Sequence, residues 1–270
     1  MKEVVYEDII YEVKGATVTI TVNRPQVLNA YRVQTYDEVI GALQRAGWDK
    51  SIACIVMTGA GERAFGVGGD MTQKKSERTG GRGTVGVSVE LLHSTIRDIP
   101  KPVIAKVRGY AIGGGNVIAT ICDMTIAAKS AQFGQVGPAM GSVDPGFGTA
   151  YLSRIVGEKK AREIWFMCRR YTADEACAMG LVNKVVPDEE LDAEVDLWCA
   201  ELAQRSPTAI AIAKRSFNAD TESIRGIGAL GYQALALYYQ SEESKEGVNA
   251  RREKRKPNFY GVINNTQEKK

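Results

Sequence analysis

The sequence predicts an α/β fold, and three observations support this prediction. Apolar strand-like segments alternate with glycine-rich turns and amphipathic helices through the first half of the chain, which is typical of crossover connections in a sheet. Beyond residue 145 the pattern becomes helical. The 270 residues suit one large domain or one domain with a small appendage. We place the α/β core at residues 1–200 and a helical region at residues 201–270, with no low-complexity linker between them.

Four segments have the patterns of strands. Residues 17–22 alternate polar and apolar side chains, the period of a half-buried strand. Residues 52–58 are continuously apolar, which is typical of a sheet covered on both faces. The apolar segments 103–107 and 124–128 are the other two strands, and residues 59–69 are predicted to form a glycine-rich turn.

Amphipathic periodicity and helix-start signals predict the helices. A polar, glycine-rich segment at 71–85 separates two of them and has the composition of a mobile loop that covers a site. The predicted helices are 33–48, about 86–98, a short one after Gly115, one around 191–202, one from Pro207, and a helical region over 223–250.

Composition argues against several classes of protein. Five cysteines are scattered singly and there is one histidine, His93, so neither a zinc site nor a histidine-based triad is expected. The net charge of +3 is too small to indicate nucleic-acid binding. The apolar runs are too short for a membrane span. The first residues are acidic and lack the apolar stretch of a secretory signal, which predicts a cytoplasmic protein.

Two glycine turns are the strongest candidates for a functional site. Residues 64–70 follow the strand at 52–58, and Gly113-Gly114-Gly115-Asn116 follows the strand at 103–107 and precedes a helix. Glycine permits a close backbone approach, and a helix that begins after such a turn presents free N–H groups. Two facing turns would form an oxyanion hole. Taken alone, the turns also fit ordinary strand ends, and neither matches a phosphate-binding motif.

The order of motifs resembles that of a known family, the crotonase (enoyl-CoA hydratase/isomerase) superfamily. The resemblance extends over nearly the whole chain. Its motifs are Asn23-Arg24-Pro25 with Leu28-Asn29-Ala30, Phe65 with Gly68-Gly69-Asp70, Gly109-Tyr110-Ala111-Ile112-Gly113-Gly114-Gly115, Phe133-Gly134-Gln135 and Lys254-Arg255-Lys256-Pro257.

This resemblance implies a spiral of ββα units with a C-terminal helical trimerisation region. It also implies a CoA thioester substrate, assembly as a homotrimer or a dimer of trimers, and neither a metal nor a separate cofactor. Nucleic acid and membranes are not expected partners. The oxyanion donors would be the N–H groups of Gly69 and Gly114.

Two positions distinguish the chain from the hydratases of this superfamily. Those enzymes use two glutamates around a water, and the matching positions here are Val117 and Gly137. Valine and glycine cannot move protons, so simple hydration of a double bond is not expected.

Residues 134–146 are instead similar to the matching segment in two ring-processing groups of the superfamily. These are 2-ketocyclohexanecarboxyl-CoA hydrolases, which open a ring during anaerobic aromatic degradation, and 1,4-dihydroxy-2-naphthoyl-CoA synthases, which close one. The hydrolases match better over the whole length, so hydrolytic ring cleavage is the first expectation and ring closure the second. A third alternative, of another class, is a non-catalytic RNA-binding homologue that uses the basic run at 251–256.

The resemblance assigns catalytic roles to three side chains. Asp144 would perform acid–base work, although a plain turn residue before Pro145 is the simpler interpretation from local sequence. Ser142 and Tyr239 would hydrogen-bond the substrate carbonyl or the attacking water. Without the resemblance, Ser142 would be a loop cap and Tyr239 a packed core residue.

Contacts to CoA and to small ligands are also implied. Leu28, Ala30 and Val67 would contact CoA beside Gly69 and Gly114, and basic residues near the C-terminus would meet its phosphates. Gln135, Gly137 and Trp165 match a trio that holds bicarbonate in some of the synthases, so an anion or a water is expected there. Relatives usually carry tyrosine where this chain has Phe147, which leaves the ring substrate open.

Overall fold

A computed structural model describes residues 5–70 and 88–267. The segment 71–85, predicted to be a loop, lies outside the described residues. The strands are β1 Ile9–Lys14, β2 Thr17–Val22, β3 Cys54–Gly59, β4 Ala64–Gly66, β5 Val103–Val107, β6 Tyr110–Ile112, β7 Met124–Ala128, β8 Gln132–Gly134, β9 Arg170–Thr172 and β10 Lys184–Val186. The helices are α1 Val33–Trp48, α2 Ser88–Asp98, α3 Gly114–Ile121, α4 Leu152–Val156, α5 Glu158–Met167, α6 Ala173–Ala178, α7 Leu191–Ala203, α8 Pro207–Ala219, α9 Ser223–Tyr238, α10 Glu242–Arg252 and α11 Phe259–Gln267.

The strands form two sheets. The larger has the order β1-β2-β3-β5-β7-β10, and all of its pairs are parallel except β1 with β2. The smaller has the order β4-β6-β8-β9, with only the β8–β9 pair antiparallel. From β3 to β8 consecutive strands alternate between the sheets, and a helix follows β4 and β6, so the chain winds as a spiral of ββα units.

The core lies between the larger sheet and its helices. The side chains of β3 and β5 are almost completely buried, because helices cover both faces of a parallel sheet. One cluster joins α1, α2 and α3 to this sheet, and a smaller cluster packs α7 on its other face. Helices therefore cover both faces of the larger sheet.

The structure confirms most of the predicted elements and corrects three. The strands at 17–22, 103–107 and 124–128 and the helix at 33–48 are observed at the predicted bounds. The segment 52–58 forms a strand only from Cys54, at Cys54–Gly59. The region 59–69, predicted to be a turn throughout, contains the short strand β4. The region 223–250 is two helices, because the chain breaks between Tyr238 and Glu242.

The C-terminal helices pack against the spiral. A buried lysine on α8, Lys214, donates to the carbonyls of Ile96 and Lys101 and to the Asp123 carboxylate at 2.7–2.8 Å. Helix α9 packs on α2 and on a short π-helical turn at Phe147–Tyr151. Helix α10 packs on a 3₁₀ turn at Pro138–Met140. These helices therefore brace the long loop that runs from Gln135 to Gly146.

Candidate active site

The two glycine turns lie in direct backbone contact. A Cβ atom built on Gly68 would stand 2.9 Å from the Gly114 nitrogen, and one built on Gly114 would stand 2.9 Å from the Gly68 Cα. A Cβ on Gly115 would stand 2.0 Å from the Gly66 carbonyl oxygen. Gly68 and Gly113 also have positive φ angles of 87° and 59°. The sequence needs glycine at these positions because side chains would separate the turns.

The N–H groups predicted to form the oxyanion hole are not used by the surrounding backbone. Gly69 pairs with Tyr31 in an isolated parallel bridge whose hydrogen bonds go from Tyr31 N–H to Gly68 and from Asp70 N–H to Tyr31. That pattern leaves the N–H of Gly69 pointing away from Tyr31. Gly114 is the first residue of α3, where N–H groups have no acceptor within the helix. Within the described residues, neither N–H donates a recorded hydrogen bond.

The first turn is held by a buried asparagine. Asn29, which is fully buried, donates from its side chain to the carbonyls of Ala60 and Ala64 and accepts from the N–H of Arg24. Arg24 in turn contacts Asp70 at 2.9 Å. These contacts fix both ends of the turn, so the N–H of Gly69 is held in place without any ligand.

The Asp144 carboxylate is held by its own loop and by α9. Its Oδ1 accepts the N–H of Gly148 at 2.7 Å and, more weakly, that of Gly146 at 3.3 Å. Its Oδ2 accepts the phenol of Tyr232 on α9 at 2.5 Å. The side chain retains 12% of its exposure. Burial and the Asp144 charge raise the pKa of Tyr232 well above its usual value, so this phenol stays protonated.

A buried histidine stands beside this carboxylate. His93 on α2 is 2% exposed, and its Nδ1 lies 4.0 Å from Asp144 Oδ2. Among the described residues Nδ1 has no hydrogen-bond partner. Burial lowers the pKa of His93, while the charge of Asp144 acts in the opposite direction, so the imidazole is neutral at pH 7.

Ser142 and Tyr239, each predicted to hydrogen-bond the substrate carbonyl or the attacking water, are hydrogen-bonded to each other. Their hydroxyl oxygens are 2.6 Å apart, and both side chains are half-buried. Tyr232 and Tyr239 are seven residues apart along α9 and its C-cap, so they share one side of the helix. One helix therefore holds the loop at Ser142 and again at Asp144.

Two glycines let α9 approach this loop closely. A Cβ built on Gly231 would stand 2.4 Å from the Pro145 Cβ, and one built on Gly146 would stand 2.8 Å from the Gly228 Cα. The loop from Gln135 to Gly146 adjoins the two glycine turns, so Asp144 and the predicted oxyanion donors belong to one site. The loop begins beside Gly113, whose N–H donates to the Gly134 carbonyl and whose Cβ position lies 3.5 Å from Val136.

The trio expected to hold an anion is only partly available. Gln135 is buried, and its Nε2 has no partner among the described residues. Trp165, however, already donates its indole N–H to the Gly148 carbonyl. A Cβ on Gly137 would stand 2.6 Å from the Ser142 carbonyl oxygen and 2.7 Å from the indole ring. The space beside Gly137 is therefore filled, and Gln135 offers the one free donor of the three.

The residues expected to contact CoA adjoin the first turn. Leu28 and Asn29 have left-handed backbone conformations with φ of 55°, and the Tyr31–Gly69 bridge carries this segment alongside Gly69. The Ala30 carbonyl accepts from Arg24. The Val67 carbonyl faces Gly113. Val67 thus lies between the two turns, and Leu28 and Ala30 belong to the segment that leads into the Tyr31–Gly69 bridge.

The basic run near the C-terminus is partly engaged within the protein. Arg255 pairs with Glu246 through both guanidinium nitrogens, at 2.5 and 2.9 Å, and also with Glu253. Arg255 belongs to the region predicted to bind phosphate, but its side chain is already engaged in an ion pair within the protein. Arg251, Arg252, Lys254 and Lys256 are exposed.

Sequence reasoning missed the partners of Asp144. His93 was considered only as evidence against a triad, and Tyr232 was not singled out. A signal existed for Tyr232, because it lies two helical turns before Tyr239 on the same predicted face. For His93 the sequence carries no comparable signal, since its contact with Asp144 depends on how α2 packs.

Val117 and Gly137, the positions that match the two glutamates of hydratases, carry no carboxylate. Phe147, where relatives usually carry tyrosine, is buried. The Val117 side chain is 1% exposed and belongs to the core. Phe147 is buried against the edge of His93 at 5.7 Å between ring centroids. The Arg97 guanidinium lies 5.2 Å from its ring centroid on another side.

Other features of the described residues lie apart from this region. A surface groove of about 530 Å³ is bordered by Trp48, Leu91, Asp98 and Arg225 and contains none of the predicted site residues. Across residues 5–70 and 88–267, no helix combines the length and hydropathy needed to cross a bilayer. No group of three or more potential metal ligands occurs in that same part of the chain.

Comparison with known proteins agrees with the geometry. Over residues 12–262 the chain matches the family described as Enoyl-CoA hydratase/isomerase. An enoyl-CoA hydratase from Mycobacterium avium subsp. paratuberculosis K-10 is similar in structure, with a TM-score of 0.84 and 28% identity over 94% of this chain and 99% of that one. An enoyl-CoA hydratase from Bacillus anthracis gives a TM-score of 0.73 and 27% identity over 93% and 98%.

Pseudomonas aeruginosa DspI is similar as well, with a TM-score of 0.75 and 28% identity over 95% of this chain and 98% of that one. The match to the family covers both glycine turns, the Asp144 loop and α9. The chain therefore belongs to the enoyl-CoA hydratase/isomerase family, the crotonase superfamily of acyl-CoA-processing enzymes.

Proposed function

We propose that this protein hydrolyses a carbon–carbon bond in the ring of an alicyclic β-keto acyl-CoA such as 2-ketocyclohexanecarboxyl-CoA. The product is a ring-opened dicarboxylic acid that keeps one CoA thioester. The observation that carries this proposal is the carboxylate of Asp144, held by Tyr232 beside the Ser142–Tyr239 pair. The proposal also rests on the lack of a carboxylate at Val117 and Gly137.

The glycine turns support stabilisation of a thioester enolate. Two free N–H groups at turns in contact can hold one oxygen between them, and a charge that develops there is stabilised most where the donors are already fixed. The N–H of Gly114 also lies at the positive end of a helix dipole. Loss of one such donor costs about 3–4 kcal/mol of barrier.

The reaction follows from these groups. Asp144 takes a proton from water while the water oxygen adds to the ring ketone. The bond between that carbon and the α carbon breaks, and its electrons pass into the thioester to form an enolate between Gly69 and Gly114. Asp144 then returns its proton to the α carbon. The former ketone carbon becomes a carboxylic acid, which ionises and releases the second proton of the water.

The contacts of Asp144 suit such a cycle. A carboxylate offers about four lone-pair sites, and the N–H of Gly148 and the phenol of Tyr232 take one each at short distances. The 3.3 Å contact from Gly146 is the weakest and the easiest for a water to replace. Ser142 and Tyr239 supply hydroxyls for the ketone oxygen or the attacking water.

Hydration of a double bond is less well supported, although two of the similar structures are named enoyl-CoA hydratases. That reaction needs groups that activate water and move its protons. Val117 is enclosed in the core, and the space beside Gly137 is filled by the Ser142 backbone and Trp165. Identities of 27–28% leave room for a change of reaction within one fold.

Incubation of the purified protein with 2-ketocyclohexanecarboxyl-CoA in ¹⁸O-labelled water tests the proposal. Mass spectrometry should show a product heavier by one water, with one ¹⁸O atom in its free carboxylate. Crotonyl-CoA serves as the hydratase substrate and should be turned over much more slowly. Hydration of crotonyl-CoA without any ring opening would contradict the proposal.

Variants of two aspartates separate catalysis from folding. Asp144→Asn should lower kcat by about 10²–10⁴, the usual contribution of a general acid–base group, with KM little changed. Asp192→Asn is the matched control, because that carboxylate is 62% exposed and pairs with Lys106 at the surface. Equal activity in the two variants would remove Asp144 from the mechanism.

The remaining features of the proposal follow the same resemblance. We propose a cytoplasmic homotrimer or dimer of trimers whose CoA moiety lies along Leu28, Ala30 and Val67. A water or a small anion would be held by Gln135 alone, since the indole of Trp165 already has an acceptor. The ring substrate and the CoA are one molecule, so no further cofactor enters the reaction.

A further inference from the structure

We propose that His93 is a positioning residue that donates its Nδ1–H to Asp144 Oδ2 and fixes the carboxylate for proton transfer. The effect of His93 on catalysis rests on the proposed ring-opening function. The contact itself follows from the geometry of two buried side chains, and it is testable without a substrate.

The first support is the unpartnered nitrogen of a buried ring. His93 is 2% exposed, and no group among the described residues bonds to its Nδ1. A buried polar atom without a partner destabilises the folded protein, so a nearby acceptor is favoured. The acceptor that faces it is Asp144 Oδ2 at 4.0 Å, with one lone-pair site left after the bond from Tyr232.

The second support is the frame around the imidazole. The ring of Phe147 stands edge-on to His93 at 5.7 Å between centroids, and Tyr232 lies at 6.4 Å. These rings pack around the imidazole, and its Nδ1 lies near the carboxylate. The distance of 4.0 Å exceeds a hydrogen bond, but catalytic contacts are often long in the absence of substrate.

The charges around His93 favour a neutral donor. Burial lowers its pKa more than Asp144 raises it, so no second proton is held at pH 7. In a neutral imidazole one nitrogen carries the proton, and a neighbouring carboxylate selects the tautomer with that proton on Nδ1. The described elements that pack on α2 bring these titratable groups near: Asp144 from the loop, Tyr232 from α9, Tyr36 from α1 and Lys214 from α8, together with Arg97 of α2 itself.

The reaction explains why such a donor would matter. Asp144 must accept a proton from water and deliver the same proton to the α carbon, so its oxygens must keep one orientation through both steps. Gly148 and Tyr232 hold it from two sides. A third donor from α2 opposes rotation toward α9, and His93 acts through Asp144 without touching the substrate.

Nitrogen NMR tests the contact directly, because His93 is the single histidine of the chain. In protein labelled with ¹⁵N-histidine, the two ring nitrogens give unambiguous signals, and their shifts at pH 7 report which one carries the proton. The wild-type protein should show the proton on Nδ1. Asp144→Ala removes the acceptor and should move the proton to Nε2.

The control and the contrary result are equally clear. Asp98→Asn changes another carboxylate, one on the same helix that is paired with Arg225, and should leave the histidine tautomer unchanged. A wild-type signal with the proton on Nε2 would overturn the inference. That result needs no variant, so it decides the matter even if Asp144→Ala does not fold.

Two substitutions of His93 separate positioning from simple packing. His93→Leu fills the volume without a donor and should lower kcat at least about tenfold, moving the acidic limb of the kcat profile to higher pH. His93→Asn places an amide donor near Nδ1 and should restore most of the activity. Equal losses in both variants would indicate a packing role. Failure of the wild type to open the ring would contradict the proposed function and leave the NMR result standing.

Discussion

Asp144 illustrates how the setting of a proposed catalytic side chain is defined by its neighbours. By local sequence it is a turn residue before Pro145, and a turn residue would face water. In the fold it accepts from Gly148 in its own loop and from Tyr232 on α9, and it faces His93 on α2. Each contact comes from a different element, so the orientation of this carboxylate depends on the tertiary packing of all three.

The bond from Tyr232 should be measurable by itself. Tyr232→Phe leaves the buried ring in place and removes the donor to Asp144 Oδ2, so we expect a loss of about 1.5–3 kcal/mol in the free energy of unfolding. We also expect lower kcat at similar KM, because the carboxylate loses a support. Denaturant unfolding and steady-state kinetics provide the two measurements.

Tyr238→Phe is the matched control on the same helix. Tyr238 is half-buried and bonds weakly to Glu243 at 3.2 Å, so its loss should cost less than about 0.5 kcal/mol. Equal losses of unfolding free energy in Tyr232→Phe and Tyr238→Phe would show that the bond from Tyr232 to Asp144 does not stabilise the protein more than a weak bond does.

Two glycines of the turns should respond differently to alanine. At Gly69 a new Cβ would meet nothing within 4 Å, so Gly69→Ala should keep the stability of the protein and lower kcat, because the methyl group occupies space beside the proposed oxyanion donor. At Gly115 the Cβ would stand 2.0 Å from the Gly66 carbonyl, so Gly115→Ala should destabilise the fold. Thermal melting and kinetics of both variants separate these effects, and a fully active Gly69→Ala would argue against the assigned donor.

At the scale of elements, α9 acts as a clamp on the site loop. It carries Tyr232, with Tyr239 at its C-cap on the same side, and just before Tyr232 the helix backbone at Gly228 and Gly231 contacts the loop at Gly146 and Pro145. Glycine in a helix interior costs about 0.5–1 kcal/mol relative to alanine. At Gly231 the close approach of Pro145 accounts for that cost, because a side chain there would push α9 away from the loop, whereas a Cβ on Gly228 would stand 3.8 Å from the Gly146 Cα.

Gly231→Ala and Gly226→Ala test this clamp as a pair. The first places a Cβ 2.4 Å from the Pro145 Cβ and should destabilise the protein, lower kcat and weaken the protection of the Asp144 loop in hydrogen exchange. The second meets nothing within 4 Å and should stabilise the protein by about 0.5–1 kcal/mol with unchanged kcat. A Gly231→Ala protein with normal stability would show that the loop does not depend on this contact.

The elements also show which parts of the fold the sequence could predict. Strands β2, β5 and β7 and helix α1 are predictable from sequence, because each has a regular pattern of apolar residues over five or more positions. Strand β4 has three residues, too few for any period, and it pairs with β6, which lies more than forty residues away in the chain. Its existence depends on tertiary pairing, so residues 59–69 were interpreted as a turn.

The same distinction applies to the candidate site. Gly69, Gly114, Ser142, Asp144 and Tyr239 are predicted site residues because the order of motifs along the chain resembles that of a family. The contacts of Asp144 with Tyr232 and His93 join residues that are 88 and 51 positions apart, and no local pattern encodes them. Side-chain partners of this kind become visible only once the helices are placed.

For the molecule as a whole, buried and paired ionisable groups define where stability depends on pH. Burial lowers the pKa of His93 below its usual 6.5, so the unfolded chain binds a proton more readily than the folded one as the pH falls past that value. Burial acts to raise the pKa of Asp8, but hydrogen bonds from Arg32 and Thr35 outweigh it and leave that pKa below 3.8. Stability from Asp8 is therefore present above pH 3.8 and lost below it.

Unfolding free energies measured between pH 8 and pH 3 should accordingly fall in two stages. The first decline should begin near pH 6.5, where the unfolded chain starts to protonate its histidine, and the second near pH 4, where the unfolded chain starts to protonate carboxylates such as Asp8. His93→Leu should abolish the first stage and keep the second, because the protein has no other histidine. A first stage that persists unchanged in this variant would have to come from another group, and it would contradict the lowered pKa of His93 in the folded protein.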